Sequence, residues 1–202
     1  MIHTTSEKVL AAVRESGMIR ARDLAKQGIS PTHLQRLYEK GLLLRSGRGI
    51  YLHADADELN ENESLREATL RIPAGVVCLL SALQFHGLTT QVPHQVWLAL
   101  PARANSPRGG YPRLRIVHMS GEALTAGIEP HQIGNTTVQV YCVAKTVADC
   151  FKFRNKIGLD VALEALRDCW AKRRANIDGI WHYAKICRVS NVMRPYLESI
   201  AV

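Results

Sequence analysis

The chain has 202 residues, 47% hydrophobic and 22% charged, a balance ordinary for a soluble globular protein with one large or two small domains. No apolar run approaches the ~18 residues of a membrane span, and the start MIHTTSEKV lacks the basic-then-apolar pattern of a secretory signal. Those absences argue against a membrane or exported protein and point to the cytoplasm, while the net charge of +8 and pI near 9.5 favour a polyanionic partner, most simply nucleic acid.

The charge is not spread evenly. Residues 1–53 carry nine lysines and arginines against four acids, whereas residues 54–70 carry six acids against Arg66 alone. The acidic stretch is polar and aperiodic, so it reads as a linker over residues 55–64 between a domain at 1–54 and another at 65–202.

In the first domain, Thr5 or Ser6 caps a helix with apolar positions Val9, Leu10 and Val13, ended by Gly17. A short element, Met18–Arg20, precedes a second helix, Ala21–Gln27, and Gly28 supplies a turn. Ser30 stands at the N-cap of a third helix and Pro31 at its first helical position, where proline's missing N–H costs least. That helix runs to Lys40 and closes at Gly41. A short helix, a glycine turn and a well-capped helix form the helix-turn-helix order. Leu34, Leu37 and Tyr38 are expected to face inward. Thr32, Arg36 and Glu39 point the other way, flanked by His33, Gln35 and Lys40, a set rich in groups that bond base edges and phosphates. Arg36 and Gln35 are the first candidates for base reading, and Thr32 and His33 the second. The strings Leu42–Arg45 and Ile50–His53 around Ser46-Gly47-Arg48-Gly49 predict a hairpin. Placed directly after a recognition helix, a hairpin carrying Arg45 and Arg48 reads as a wing that meets phosphate or the minor groove.

The second domain predicts helices at Leu65–Ile72 and Cys78–Gly87, then strands at Gln95–Leu100, Leu114–Met119 and Thr137–Val143. Helices follow at Ala144–Asn155, Leu159–Arg173, Ile177–Arg188 and Val192–Ile200. The expected fold is therefore α+β: an N-terminal winged helix-turn-helix followed by a mixed α/β domain with a small sheet and C-terminal helices. Lys145, Lys152, Arg154 and Lys156 form a possible second basic surface, with Lys145 and Asp149 one turn apart as an ion pair.

The strings CLLSALQFHGLT (78–89), HQVWLALP (94–101) and VYCVAKTVADCFKFRNKIGLDVALEAL (140–166) resemble the C-terminal region of AbiEi-type antitoxins of type IV toxin–antitoxin, or abortive-infection, systems. SPTHLQRLYEKGLLLRSGRGIYLH (30–53) resembles the winged-helix end of that family, and the phrase AKTVADCFKFRNKIGLD is the most specific of these strings. The resemblance implies a bacterial, cytoplasmic repressor that binds inverted repeats of double-stranded DNA in its own promoter. It also implies an antitoxin countering a nucleotidyltransferase-like toxin without forming a stable complex with it. Two copies on a palindrome would suit a winged-helix regulator.

Other chemistries fit the sequence less well. The five cysteines are odd in number and widely spaced, which suits reduced buried thiols better than a metal finger. No GxSxG, Walker loop, HExxH or Rossmann fingerprint is present, so neither an enzyme nor a cofactor is expected. Acids in the second domain are sparse for a nuclease, and His86 on an apolar helix reads as structural, while His118 and His131 have no identifiable partner. A winged domain that docks on a protein instead of DNA stays open as the alternative.

Overall fold

A computed structural model describes residues 5–16, 18–26, 28–47, 49–53, 61–106 and 112–200. The chain forms two compact units. One comprises residues 1–73 with 107–113 and 132–137; the other comprises 74–106, 114–131 and 138–202.

The first unit runs α1 (Thr5–Ser16), β1 (Met18–Arg20), α2 (Ala21–Lys26), α3 (Thr32–Glu39), β2 (Leu43–Gly47), β3 (Ile50–His53) and α4 (Glu61–Arg71). Val9 and Val13, one turn apart on α1, meet Leu24 of α2, Leu34 and Leu37 of α3, and Leu43 and Tyr51 of the strands in one buried cluster. The short element expected at 18–20 is a strand. It pairs antiparallel with one side of β3, Ile19 opposite Tyr51, while β2 pairs with the other side, giving the order β1-β3-β2. Three strands sharing one apolar face hold together where an isolated hairpin would not.

The helix expected to start at Leu65 begins at Glu61. Glu63 lies in its first turn, where the N-terminal dipole favours a carboxylate. Glu63 also takes two bonds from Arg66 Nη1, at 2.7 and 2.8 Å. The acidic stretch is thus helical from Glu61 on, and residues 54–60 lie outside the described part. Arg20 Nη2 reaches the Thr69 carbonyl at 3.4 Å and Arg71 Nη1 the Pro112 carbonyl at 2.7 Å, so two buried or half-buried guanidinium groups are tied to backbone within this unit.

The second unit contains β4 (Val76–Val77), α5 (Leu79–Phe85), β5 (Val96–Pro101), β6 (Leu114–Met119), α6 (Glu122–Thr125) and, apart from their residues 132–137, β7 (Ile128–Ile133) and β8 (Thr136–Tyr141). It closes with α7 (Val143–Lys152), α8 (Arg154–Ile157), α9 (Leu159–Ala171), α10 (Ile177–Ile186) and α11 (Ser190–Ile200). The mixed sheet has the order β6-β5-β4-β8-β7, with β5 parallel to β6 and antiparallel to β4, and β4 parallel to β8. Helices α5, α7, α9, α10 and α11 supply most of the large core beside it. The helix expected over 144–155 breaks at Phe153, whose backbone leaves the helical region (φ −102°, ψ 17°), and continues as α8 to Gly158 at φ +97°.

Candidate nucleic-acid interface

The start of α3 is built by its own hydroxyls. The Ser30 Oγ accepts the Thr32 N–H at 3.4 Å and lies 2.8 Å from Thr32 Oγ1, while Pro31 holds helical angles of −56° and −19°. The helix proper therefore opens at Thr32, one residue later than expected. The His33 and Leu34 N–H groups bond to the Ser30 and Pro31 carbonyls at 3.1 Å. At the other end Gly41 takes φ +72°, its N–H bonding to the Tyr38 carbonyl, and Leu42 N–H returns to Leu37. That left-handed position is glycine's and ends the helix.

Burial then sorts the side chains. Leu34 and Leu37 are fully inside, and Thr32, Gln35, Arg36, Glu39 and Lys40 are all exposed. Gln35 Nε2 donates to Glu39 Oε1 at 3.0 Å, one turn along the same face. Two flanking residues differ from expectation. Tyr38 is not inside but 41% exposed, its ring resting edge-on against Tyr51 at 6.4 Å. His33 is only half exposed, with Nδ1 enclosed and without a hydrogen-bond partner among the described residues, because it precedes Leu34 directly and Leu37 by one turn and so leans toward the packed side.

The hairpin follows at once. Its register pairs Leu43 with His53, Leu44 with Leu52 and Arg45 with Tyr51, then shifts so that Gly47 faces Ile50. This bulge beside Arg45 bends and twists the ribbon. Arg45 is exposed, opposite the buried Tyr51. Gly49 at φ +75° gives its carbonyl to the Ala21 N–H at 2.8 Å, fastening the hairpin to the start of α2. Arg48 lies outside the described residues. The first unit thus brings Thr32, Gln35, Arg36 and Lys40 onto one helix face and Arg45 onto the adjoining ribbon. The sequence reading missed how Glu39 is engaged; its spacing of four from Gln35 was the available signal.

The second basic set does not survive intact. Lys145 is not on a surface. It is fully buried, its Nζ 2.5 Å from Asp149 Oδ2 and 4.1 Å from the centre of the Tyr141 ring. Asp149 is fully buried too, and its other oxygen accepts from Cys187 Sγ at 3.2 Å. Burial raises the Asp149 pKa, a push opposed by Lys145 and the Cys187 hydrogen bond. The physical reason is the setting of α7, which is enclosed from Ala144 to Phe151, so an internal partner replaces solvent for the ammonium. Lys152, half exposed, and Lys156, exposed, remain outward near the Phe153 ring, and Arg154 donates to the Phe151 carbonyl at 2.9 Å.

Groups with catalytic potential have internal duties. His86, buried, bonds through Nε2 to the Tyr141 carbonyl at 2.7 Å, and burial lowers its pKa. His118, for which no partner was expected, meets the Ala104 carbonyl at 3.0 Å, and His131 lies 3.7 Å from a Glu129 oxygen. All five cysteines are free; burial pushes Cys78, Cys150 and Cys169 up, and Cys187 to about 12. Among the described residues no group of three or more His, Cys, Asp or Glu side chains is arranged to hold a metal ion, and no helix is long and apolar enough to cross a membrane.

Residues 7–52, spanning α1 to β3, match the family model described as "Transcriptional regulator, AbiEi antitoxin". The match falls on the helix and hairpin segment, not on the strings at 78–89, 94–101 and 140–166. No curated protein matches the chain. Among solved structures, the RV2827C protein from Mycobacterium tuberculosis is similar over 92% of this chain and 72% of its own, with a TM-score of 0.65 at 15% identity, which is a likeness of fold.

Proposed function

We propose, from the premise that residues 7–52 belong to the AbiEi antitoxin family of transcriptional regulators, that the first unit is a winged helix-turn-helix that binds double-stranded DNA. On this reading α3 enters the major groove and the β2–β3 hairpin is the wing. The observation that carries it is the exposed set Thr32, Gln35, Arg36 and Lys40 on α3 next to exposed Arg45 on the hairpin, all mounted on one small apolar core. Arginine reads guanine through two parallel bonds, glutamine reads adenine likewise, and lysine and arginine on the flanks meet phosphate. The protein then represses its own operon from inverted repeats, with two copies on the operator. As an antitoxin it opposes a nucleotidyltransferase-like toxin without a stable complex, with the second unit supplying that role. It acts in the cytoplasm and carries no catalytic activity.

The test is binding of the full chain to DNA preceding its own gene and to a random duplex across a salt series. Arg36→Ala is expected to remove most of the preference between the two, about 5- to 100-fold. Arg45→Ala should weaken binding to both and make the salt slope shallower by about one. Absence of binding to either duplex at low salt, with tight co-purification of a neighbour-encoded protein, would sink the DNA reading in favour of a protein-docking module.

A further inference from the structure

Gln35 and Glu39 stand one turn apart on the exposed face of α3, joined by a 3.0 Å bond from Gln35 Nε2 to Glu39 Oε1. We propose that Glu39 is a positioning residue that presets the Gln35 amide to read adenine, an inference that rests on the DNA-binding reading above. An amide can present either end to a neighbour, but an ionised carboxylate only accepts. Glu39 therefore fixes the nitrogen of Gln35 toward itself. What remains outward is one N–H donor and the carbonyl acceptor, side by side. Adenine offers the complement in the major groove, an acceptor at N7 and a donor at N6. Guanine offers two acceptors there, so the Gln35 carbonyl would face a like group. Cytosine and thymine each offer one polar atom and leave half of the amide unpaired.

Glu39 also has a cost that makes the proposal specific. Its carboxylate is exposed between cationic neighbours on a helix assigned to a polyanion, where it repels phosphate and lowers affinity for any duplex. Presetting an amide offsets this, because a side chain already held in its bound geometry loses less freedom on binding. Two opposed effects follow from removing the carboxylate: affinity for random DNA rises while the preference for adenine falls. A residue that merely stabilised α3 would lower both.

The experiment is selection from a random duplex library with the full chain, comparing wild type with Gln35→Ala, Glu39→Ala and Glu39→Gln. The position read by Gln35 is the one that Gln35→Ala flattens. At that position the wild type is expected to select adenine, and replacing it with 7-deazaadenine, which lacks the N7 acceptor, should weaken binding about 5- to 100-fold. Glu39→Ala should reduce the adenine preference there several-fold, leave the other positions unchanged and strengthen binding to random duplex. Glu39→Gln, whose carbonyl still accepts from Gln35, should keep part of the preference. The proposal is overturned if Glu39→Ala leaves that preference intact, if it flattens all positions together, or if Gln35→Ala flattens a position that is not adenine. Failure of the wild type to bind any duplex would instead overturn the DNA-binding reading itself.

Discussion

Glu67, in the middle of α4, is fully buried, and neither of its carboxylate oxygens has a hydrogen-bond partner among the described residues. Burial lifts its pKa from 4.5 to about 8, against the pull of Arg71 and with a smaller push from Glu63. Because the folded pKa lies above the unfolded one, the folded state keeps a proton that the unfolded chain releases above about pH 4.5. Stability from this group is therefore full at low pH, declines as pH rises toward 8 and levels off beyond it. A shift from 4.5 to about 8, at 1.36 kcal/mol per unit, sets the whole decline on the order of 5 kcal/mol. Glu67→Gln removes the titration and keeps the shape. The amide brings an extra buried donor that costs about 1–3 kcal/mol, so the variant should exceed wild type by roughly 2–4 kcal/mol at pH 8.5 and lose that advantage at pH 5. Urea unfolding of both proteins at pH 5, 7 and 8.5, followed by circular dichroism, gives the difference directly and cancels the other titrating groups. A wild-type-to-variant gap that stays constant across this range would refute the reasoning, because a carboxyl ionised at every pH tested has nothing left to titrate.

Lys145→Met should destabilise the protein by about 3–5 kcal/mol in urea, because it strands the enclosed Asp149 carboxyl, and adding Asp149→Leu should restore most of the loss. Gly127→Ala should cost about 2–4 kcal/mol, read as a lowered Tm, since φ there is +73° and a Cβ would sit 2.9 Å from that of Lys145 and 3.0 Å from the Tyr183 ring; Gly121→Ala, with open space around it but with φ +56° and ψ −148°, angles that essentially only glycine adopts, should cost about 1–3 kcal/mol from backbone strain alone. With Lys40 and Arg45 as the phosphate-facing cations among the described residues of the proposed interface, one copy on DNA should give a log–log salt slope of about −2 or steeper and two copies about −4 or steeper. A slope near zero would show that these side chains do not meet phosphate.

The parts of the fold legible in the sequence are those where one apolar stripe faces one core. Leu34 and Leu37 on α3, with Gly41 to stop it, mark both the packed side and the end of the helix, and exposed Gln35 and Arg36 follow from them by rotation alone. Rotation fails at the borders of the stripe, where neighbours decide: His33 is drawn in and Tyr38 is left out against Tyr51. It fails on α7, where Lys145, Asp149 and Lys152 make a polar stripe that reads as an outer face, yet its first two members are enclosed. The spacing of Lys145 and Asp149 revealed their pairing, but nothing in the pattern revealed that both are inside. The strands that escaped notice have their own reasons. β4 is two residues long, recognisable only from the partners on its two sides, and β7, IEPHQI, holds a proline that only an edge position tolerates.

The same contrast bears on where DNA recognition can reside. With Lys145 withdrawn into the core, α7 contributes no continuous cationic face, so the net charge of +8 is a weaker argument for a second binding surface than the sequence alone suggested. The first unit joins charge to order. On the proposed reading Lys40 and Arg45 supply attraction that carries no sequence information, while Leu34 and Leu37 pin the opposite side of α3 so that its outer side chains start from fixed positions. A surface selected only for attraction would gain from replacing Glu39 with any neutral residue. On the proposed reading, its presence on that face, bonded to the Gln35 amide that can distinguish adenine from guanine, suits a site that reads bases better than one that only holds a polyanion.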